Sequence, residues 1–320
     1  MTYFQYFDTV SYIYSYKYDT KTEFESNCAI AEDVLSYYHK LFDIYYEYEG
    51  VTNLCTINKN AGKEALTVDR ELIVFLEYCK ELYELTGGKM NPMLGSVLRI
   101  WHDARTLATE NPSQAALPAL SVLEEADRHT DFGLLEIDES KCTVRISDPA
   151  ASIDVGAVAK GYAVEMAARA LEEKGITSYV FNVGGNIRII GTKPDGDGWV
   201  TGIKDPKNPD YSYSMYLKIS DTACVTSGVY ERFFTVNGNR YHHIIDPDTL
   251  MPADYFDSVT ILTEHSGLAD ALSTALFCMS YADGKALIEA IPGVEAVWIF
   301  GDGSTEKSSG VTPFDYNNKK

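Results

Sequence analysis

Apolar and polar residues alternate with a period of two in several short segments of the chain, and this pattern predicts β-strands. Predicted strands cover residues 7–18, 199–203, 213–219, 257–263, 294–300 and 305–309. Residues 134–147 predict a hairpin. The Val-Asn-Gly-Asn sequence within residues 235–240 predicts a second hairpin, because an Asn-Gly pair suits a tight two-residue turn.

Apolar residues at helical spacing predict helices over residues 26–46, 68–85, 121–128, 162–173 and 268–279. Gly87, Gly88 and Gly175 are placed to end two of them. Residues 53–60 and 111–118 are predicted loops. Because strands and helices mix without strict β-α-β alternation, the pattern predicts an α+β fold with mixed or antiparallel sheets and packed helices.

The 320-residue chain is long enough for about two domains. Its net charge of −20 argues against nucleic acid or an anionic membrane surface as the main partner. An anionic ligand stays compatible, since a divalent cation can offset repulsion between acidic walls and a phosphate. The six cysteines lack metal or C-x-x-C spacing and are predicted to be buried free thiols. No run of 18 apolar residues and no signal peptide is visible.

One stretch, residues 152–191, carries the most specific pattern. A short apolar strand is predicted to end at residues 153–155, and a glycine-punctuated turn over residues 156–161 carries Lys160. A helix that starts after such a turn offers N–H groups and a lysine to phosphate oxygens. Neither a Walker loop nor a G-x-G-x-x-G fingerprint is present. An ordinary strand–turn–helix is the structural alternative.

Three further places could carry chemistry. Asp270 and Thr274 are spaced i, i+4 on one helix face and would suit Mg²⁺, although a capping aspartate beside a helix-facing threonine is the alternative. His243 has a pKa range suited to proton transfer, whereas His242 would point to the other side of a strand and is assigned to surface or core. Ser227 follows an apolar strand, where a turn could bind phosphate. A serine nucleophile is the alternative there, but no G-x-S-x-G elbow surrounds it.

Five motifs occur in a fixed order. They are D-x-G-x-x-x-K-G-Y from Asp154, N-x-G-G from Asn182, T-S-G-x-Y-x-R from Thr226, H-I-I-D-P from His243, and A-D-A-L-S-T-A from Ala269. This series resembles the ApbE family, the FAD:protein FMN transferases. The resemblance covers roughly residues 150–280 and extends more weakly to both ends.

The resemblance implies a single domain over residues 1–320, with an N-terminal lobe of about 1–150, a C-terminal lobe of about 151–320, and FAD in the cleft between them. It implies Mg²⁺ ligands from Asp270, Thr274 and the carbonyl of Ala157, and catalytic roles for Asp270 and for His243 as a base. Implied FAD contacts are Asn58, Asp154, Lys160, Asn182, Gly184, Gly185, Asn186, Ser227, Gly228, Glu231 and His243. For Asn58 a turn-forming role is the equal alternative, and Glu231 would bind an adenine or ribose edge.

Two positions depart from the family pattern. Asn91 and Met93 stand where the family usually has aspartate and threonine, so the fold should persist there without a catalytic role for that turn. Leu250 stands where the family usually has glycine after Thr249, so a turn of different shape is expected.

The resemblance implies Mg²⁺-dependent transfer of FMN from FAD to a Ser/Thr hydroxyl of a target protein, with release of AMP. Such acceptors often belong to a membrane redox complex. The alternatives are Mg²⁺-dependent FAD hydrolysis to FMN and AMP, a flavin carrier without turnover, and a flavin oxidoreductase, which the absent hydride-cofactor fingerprint weakens. Because family members are commonly exported as lipoproteins, an extracytoplasmic, membrane-anchored protein with a leader ahead of residue 1 is expected, with a cytoplasmic location as the alternative.

Overall fold

The computed structural model describes residues 2–15 and 20–316. The helices of this part are α1 Lys21–Phe42, α2 Leu54–Lys59, α3 Arg70–Leu85, α4 Gly95–Glu110, α5 Leu120–Asp127, α6 Ala159–Glu172, α7 Ser266–Phe277 and α8 Tyr281–Ala290. Its strands are β1 Thr2–Tyr6, β2 Thr9–Ser15, β3 Leu66–Thr67, β4 Leu135–Asp138, β5 Thr143–Ile146, β6 Ser178–Val183, β7 Asn186–Gly191, β8 Trp199–Lys204, β9 Tyr213–Ile219, β10 Ala223–Gly228, β11 Phe233–Val236, β12 Asn239–His242, β13 Ser258–Thr263, β14 Glu295–Ile299 and β15 Thr305–Lys307.

The chain divides into two compact units, and each is made of separate segments. Unit 1 comprises Met1–His39, Val158–Gly228 and Tyr255–Lys320, and unit 2 comprises Lys40–Ala157 and Val229–Asp254. The N-terminal segment belongs to unit 1 because β2 pairs with β6. The units therefore divide the chain differently from the contiguous lobes predicted on either side of residue 150.

Unit 1 is built on one antiparallel sheet of eight strands in the order β1-β2-β6-β7-β10-β13-β14-β15. All six residues of β13 are buried between β10 and β14. The sequence Ser-Val-Thr-Ile-Leu-Thr is rich in β-branched residues, which suit a strand covered on both faces. Helix α7 packs against β10 and β13, and α6 packs against α7 and β7. The central sheet therefore supports the two helices that carry Lys160 and Asp270.

Unit 2 contains the three-stranded sheet β3-β5-β4, the hairpin β11–β12 and helices α2 to α5. One apolar cluster of this unit joins α4 to the hairpin and to the segment after it. Its largest buried members are Leu94, Val97, Trp101, Leu123, Phe234, Ile245 and Leu250.

Both predicted hairpins are confirmed, as β4–β5 and β11–β12, and Asn237 and Gly238 have φ of 50° and 84° in the turn of the second. A third hairpin, which was not predicted, joins β6 to β7 through Gly184 and Gly185, with φ of 56° and 85°. Paired positive φ values are typical of type I′ turns, which match the twist of the flanking strands. Residues 7 and 8 also form such a turn, so the strand predicted from residue 7 begins at Thr9. Residues 16–18 of that predicted strand lie outside the described residues.

Other predicted boundaries were wrong. Residues 53–60 are not a loop but contain α2, whose N-cap is Asn53 with its side chain accepting the Thr56 N–H at 3.0 Å. Residues 153–155 are not a strand, since only the isolated bridge between Leu94 and Ser152 forms beside them. Helix α6 begins three residues earlier than predicted, so Lys160 lies in its first turn. Helix α8 was not predicted.

Helix length and apolar content decide whether a helix can span a membrane. Among residues 2–15 and 20–316, no helix is both long and apolar enough to span a bilayer.

Candidate active site

The carboxylate of Asp270 is held by the first turn of α6. Its Oδ2 accepts the backbone N–H of Gly161 at 2.7 Å, and its Oδ1 accepts Lys160 Nζ at 3.2 Å. The N–H groups of a first helical turn lack acceptors within their own helix, and a negative charge is favourable there. The N-cap residue Val158 provides no side-chain acceptor, so Asp270 performs this role from another helix.

This contact requires a glycine at position 161. A Cβ built on Gly161 would lie 2.5 Å from Asp270 Cβ and 2.5 Å from the Ser266 carbonyl oxygen. Real Cβ atoms do not approach other atoms so closely. The glycine therefore lets α6 and α7 approach closely enough for the N–H of Gly161 to reach Asp270.

Hydroxyl groups lie one turn further along α7. Ser227 Oγ on β10 is 2.8 Å from Ser273 Oγ and 3.5 Å from Thr274 Oγ1. A carboxylate and hydroxyls form a hard oxygen donor set, which fits Mg²⁺. The described residues contain no group of three or more His, Cys, Asp or Glu side chains placed to hold a metal. Mg²⁺ commonly uses one carboxylate together with substrate phosphates, so the donor set fits that mode of binding.

Ala157, the third implied metal ligand, belongs to unit 2 and lies directly before Val158, the N-cap of α6. It sits in the turn between Asp154 and the helix. Its carbonyl role stays a prediction.

The N-x-G-G segment forms the β6–β7 turn. Asn182 Oδ1 accepts the N–H of Gly185 at 3.1 Å, and both glycines are exposed. A Cβ on Gly184 would lie 2.3 Å from Thr9 Oγ1, so this glycine is also required by close packing. Asn186, in contrast, is fully buried and its Oδ1 accepts Ser266 Oγ at 2.7 Å. The structure therefore places Asn186 in the interior of unit 1, in contact with the first residue of α7.

The T-S-G segment lies within a strand rather than in the turn that was predicted. Residues 226–228 are the end of β10 and pair with β13. Pairing of β10 with β7 stops at Val225 opposite Asn186, so Ser227 and Gly228 have no strand partner on that side within the described residues. Their backbone edge can therefore serve a ligand.

Asn58 holds the backbone of Ile153, the residue directly before the D-x-G motif, through two hydrogen bonds. Its Nδ2 donates to the Ile153 carbonyl at 2.9 Å and its Oδ1 accepts the Ile153 N–H at 2.7 Å. The next residue, Asp154, accepts the Gly156 N–H through Oδ1 at 2.8 Å. Burial raises the pKa of Asp154, although Gly156, His102 and Arg232 oppose that shift. Asn58 is thus a helix residue that positions the segment of Asp154, not a turn former.

His243 and His242 have different partners. His243 Nδ1 lies 3.2 Å from the Arg232 carbonyl oxygen, which can only accept, so Nδ1 carries the proton and Nε2 has the lone pair. His242 is buried, with Nε2 donating to the Ala253 carbonyl at 2.7 Å and Nδ1 accepting the Ile244 N–H at 3.2 Å. The assignment of His242 to the core is consistent with this burial. Of these two histidines, His243 is the one whose Nε2 is left as an acceptor by the bond of its Nδ1.

Burial and nearby cationic groups keep His243 neutral. Burial lowers the pKa of His243 to about 3, with further lowering by Arg232, His242 and Arg105. Burial also lowers the pKa of Arg105, and repulsion from Arg232 adds to it. The ring is therefore unprotonated across the neutral range.

The positions that depart from the family pattern keep their local structure. Asn91 Oδ1 accepts the Met93 N–H at 2.9 Å and Nδ2 donates to the Thr130 carbonyl at 3.0 Å, and Met93 is fully buried. Leu250 has φ of 61°, in the left-handed region that favours glycine. The turn therefore keeps a glycine-like conformation with leucine in place. Glu231 is exposed just after β10.

Sequence reasoning missed Glu165, which lies on α6 four residues after Gly161 and is only 3% exposed. Residues i and i+4 share a helix face, so the position of Gly161 marks the buried side on which Glu165 lies. The i, i+4 spacing from Gly161 was therefore the sequence signal that could have identified Glu165 as buried. A charged residue at such a position needs buried partners, which the sequence did not show.

Comparison with solved structures identifies the class of fold. The chain is similar to the ApbE protein of Thermotoga maritima, with a TM-score of 0.82 and 30% identity over 96% of this chain and 97% of the other. It is also similar to the flavin transferase ApbE of Vibrio cholerae, with a TM-score of 0.78 and 22% identity over 96% and 95% of the two chains. The α+β fold class predicted from the sequence is confirmed.

Sequence comparison gives the family. The ApbE family model matches residues 9–298, and the chain belongs to the ApbE family. A FAD:protein FMN transferase of Treponema pallidum is 35% identical over 273 residues, covering 81% of this chain and 73% of the relative. A FAD:protein FMN transferase of Klebsiella pneumoniae is 26% identical over 277 residues, covering 85% and 82%. The family predicted from the five motifs is confirmed.

Proposed function

We propose that this chain transfers FMN from FAD to a Ser or Thr hydroxyl of an acceptor protein and releases AMP, in a reaction that needs Mg²⁺. The names of its relatives support the transferase class. The observation that carries the proposal is the Asp270 carboxylate, buried to 6% exposure and held by Gly161 and Lys160 at the start of α6. A simple capping aspartate would not need a lysine and a nearby set of hydroxyls.

Asp270, Thr274 and the Ala157 carbonyl are the residues that would hold Mg²⁺. The carboxylate has about four lone-pair sites, and Gly161 and Lys160 use two of them. When bound, Mg²⁺ supplies charge neutralisation for the pyrophosphate oxygens. Lys160 adds a second positive charge beside the same carboxylate. The turn of Gly184 and Gly185 is exposed and has no side chains, so a polar part of FAD could approach its backbone closely.

His243 is the proposed base. Its Nε2 takes the proton of the acceptor hydroxyl while the hydroxyl oxygen bonds to the FMN phosphorus. The bond from that phosphorus to the bridging oxygen breaks, and AMP leaves with the oxygen. Burial lowers the pKa of His243, with further lowering by Arg232, His242 and Arg105, so the imidazole is unprotonated at neutral pH and its Nε2 can accept that proton.

The test is AMP release from FAD and Mg²⁺, with and without an acceptor peptide carrying a Ser/Thr flavinylation motif. Transfer predicts peptide-dependent AMP and a peptide mass gain of one FMN, both abolished by EDTA and by Asp270→Asn. Glu264→Gln is the control, because Glu264 is an exposed carboxylate of the same unit that lies outside the proposed metal and FAD contacts. AMP without peptide would instead identify a FAD hydrolase. FAD binding with no AMP, using a peptide modified by another family member, would refute both reactions and leave a flavin carrier.

A further inference from the structure

The N-terminus of α7 is closed by side chains of unit 1. The Ser266 N–H donates to Glu165 Oε2 at 2.9 Å. The N–H groups of Gly267 and Leu268 donate to His265 Nδ1 at 3.1 and 3.3 Å. All three N–H groups of the first turn therefore have protein acceptors, and one acceptor is a buried carboxylate on α6.

The charge of Glu165 is balanced by two arginines on different elements. Its Oε2 accepts Arg188 Nε at 3.2 Å, and its Oε1 accepts Arg169 Nε at 3.2 Å. Arg188 is 4% exposed and also contacts Glu172 at 3.0 Å and Asp221 at 3.2 Å. A buried carboxylate is tolerated only when it is paired and hydrogen-bonded, as here. The network joins α6, β7 and the first residue of α7.

Asn186 adds a second attachment at the same residue. Its Oδ1 accepts Ser266 Oγ at 2.7 Å, while its Nδ2 is buried and has no hydrogen-bond partner among the described residues. A Cβ on Gly161 would lie 3.1 Å from that Nδ2. Asn186 thus fills the space beside Gly161 and Ser266 and limits movement of α7 toward α6.

These attachments lie one helical turn from Asp270. Ser266 and Asp270 are spaced i, i+4, so fixing Ser266 on α6 also fixes which way Asp270 faces. We propose that Glu165 is a positioning residue: its bond to the Ser266 N–H sets the register of α7 against α6, so that the Asp270 carboxylate meets Gly161 and Lys160. The consequence for Mg²⁺ rests on the proposed function, whereas the register itself does not.

The experiment compares three variants of the full chain. Glu165→Gln keeps an oxygen for the Ser266 N–H but removes the charge and one acceptor for Arg188. Glu165→Ala removes the acceptor for the Ser266 N–H and the acceptor for Arg188. Arg169→Gln is the matched control, because Arg169 is half exposed and contacts only the carboxylate oxygen that does not reach Ser266.

The first measurement is amide hydrogen exchange without metal. If Glu165 sets the register, the Gly161 amide loses its Asp270 acceptor and exchanges faster in Glu165→Ala, with Glu165→Gln intermediate and Arg169→Gln unchanged. The amides of β13 should stay protected, which distinguishes a register shift from global unfolding. Unchanged Gly161 exchange in Glu165→Ala would overturn the proposal.

The second measurement is Mg²⁺ binding by calorimetry. Groups that orient metal ligands typically change metal affinity by roughly 10–100-fold, so Glu165→Ala should weaken Mg²⁺ binding in that range and Glu165→Gln by less. An unchanged Mg²⁺ affinity in a folded Glu165→Ala would contradict a positioning role. If the wild-type protein binds no Mg²⁺ either alone or with FAD present, the metal part of the proposed function fails, and the exchange rate of the Gly161 amide still tests the register of α7.

Discussion

Substitution of Gly161 by alanine tests the packing that holds Asp270. At an ordinary helix position, glycine to alanine stabilises a protein by up to about 1 kcal/mol through helix propensity. Here the new Cβ would meet Asp270 Cβ and the Ser266 carbonyl at 2.5 Å, and the carbonyl is backbone that cannot rotate away. Forcing atoms into a packed interior costs about 1–3 kcal/mol.

The hydrogen bond from Gly161 to Asp270 adds to the loss. A bond to a charged acceptor contributes about 1.5–3 kcal/mol, and separating the helices would weaken it. Taking partial loss of that bond with the overpacking, and subtracting the propensity gain, Gly161→Ala should lower the free energy of unfolding by about 1–4 kcal/mol. The Mg²⁺ affinity should fall as well, because the same carboxylate is displaced.

Gly284→Ala is the matched control, since Gly284 also lies in a helix of unit 1 and is buried. Its added Cβ would meet only Leu276 Cδ2 within 3 Å, which is the end of a flexible side chain, and the next nearest atom, Trp298 Nε1, lies at 3.8 Å. This variant should unfold within about 1 kcal/mol of wild type. Urea unfolding monitored by circular dichroism measures both variants. Equal effects of the two substitutions, or a Gly161→Ala protein as stable as wild type, would refute the packing argument.

Three further predictions concern the backbone and protonation. Leu250→Gly should be more stable than Leu250→Ala by about 1 kcal/mol in urea unfolding, because φ of 61° strains any residue with a Cβ, whereas the order reverses at ordinary positions. Burial raises the pKa of Asp154 in the folded state, so its contribution to stability is present below the unfolded value and is lost as pH rises through the folded pKa. The stability of Asp154→Asn relative to wild type should therefore be greater at pH 7 than at pH 3. An equal difference at the two pH values would contradict this prediction. Burial lowers the pKa of His243 to about 3, so the unfolded chain binds the proton first and wild type loses stability as pH falls below 6.5. His243→Asn should lose less stability between pH 7 and pH 5, and parallel losses in urea titrations would refute the assignment.

Local turns were predictable because their backbone conformation is encoded by adjacent residues. The Asn237-Gly238 pair favours positive φ at both residues, and the predicted hairpin formed there. The wrong predictions of helix and strand boundaries also had local causes. Asn53 caps α2 through its own side chain, and a short capped helix has the same polar composition as a loop. Ile153 and Val155 bury their side chains on either side of Asp154 without a strand partner, so their alternation resembled a strand.

The roles of site residues were less predictable than their identities. Asn58 and Asn186 were both expected to contact FAD. Both polar atoms of the Asn58 side-chain amide form hydrogen bonds with the backbone of Ile153, and Asn186 is buried and bonded to Ser266. Neither partner is near in sequence, so residue type and spacing could not show these bonds, and a contact of either residue with FAD stays a prediction.

The sequence by itself determined the family, the α+β class and the residue types available for flavin and metal chemistry, because ordered motifs and short-range periodicity are properties of the linear chain. Only the tertiary structure decided that Gly161 meets Asp270, 109 residues away, and that Glu165 on α6 accepts the Ser266 N–H at the start of α7. Those contacts arise where α6 and α7 pack on one sheet. Their geometry depends on side-chain volume and strand pairing across the whole of unit 1, which no local pattern contains.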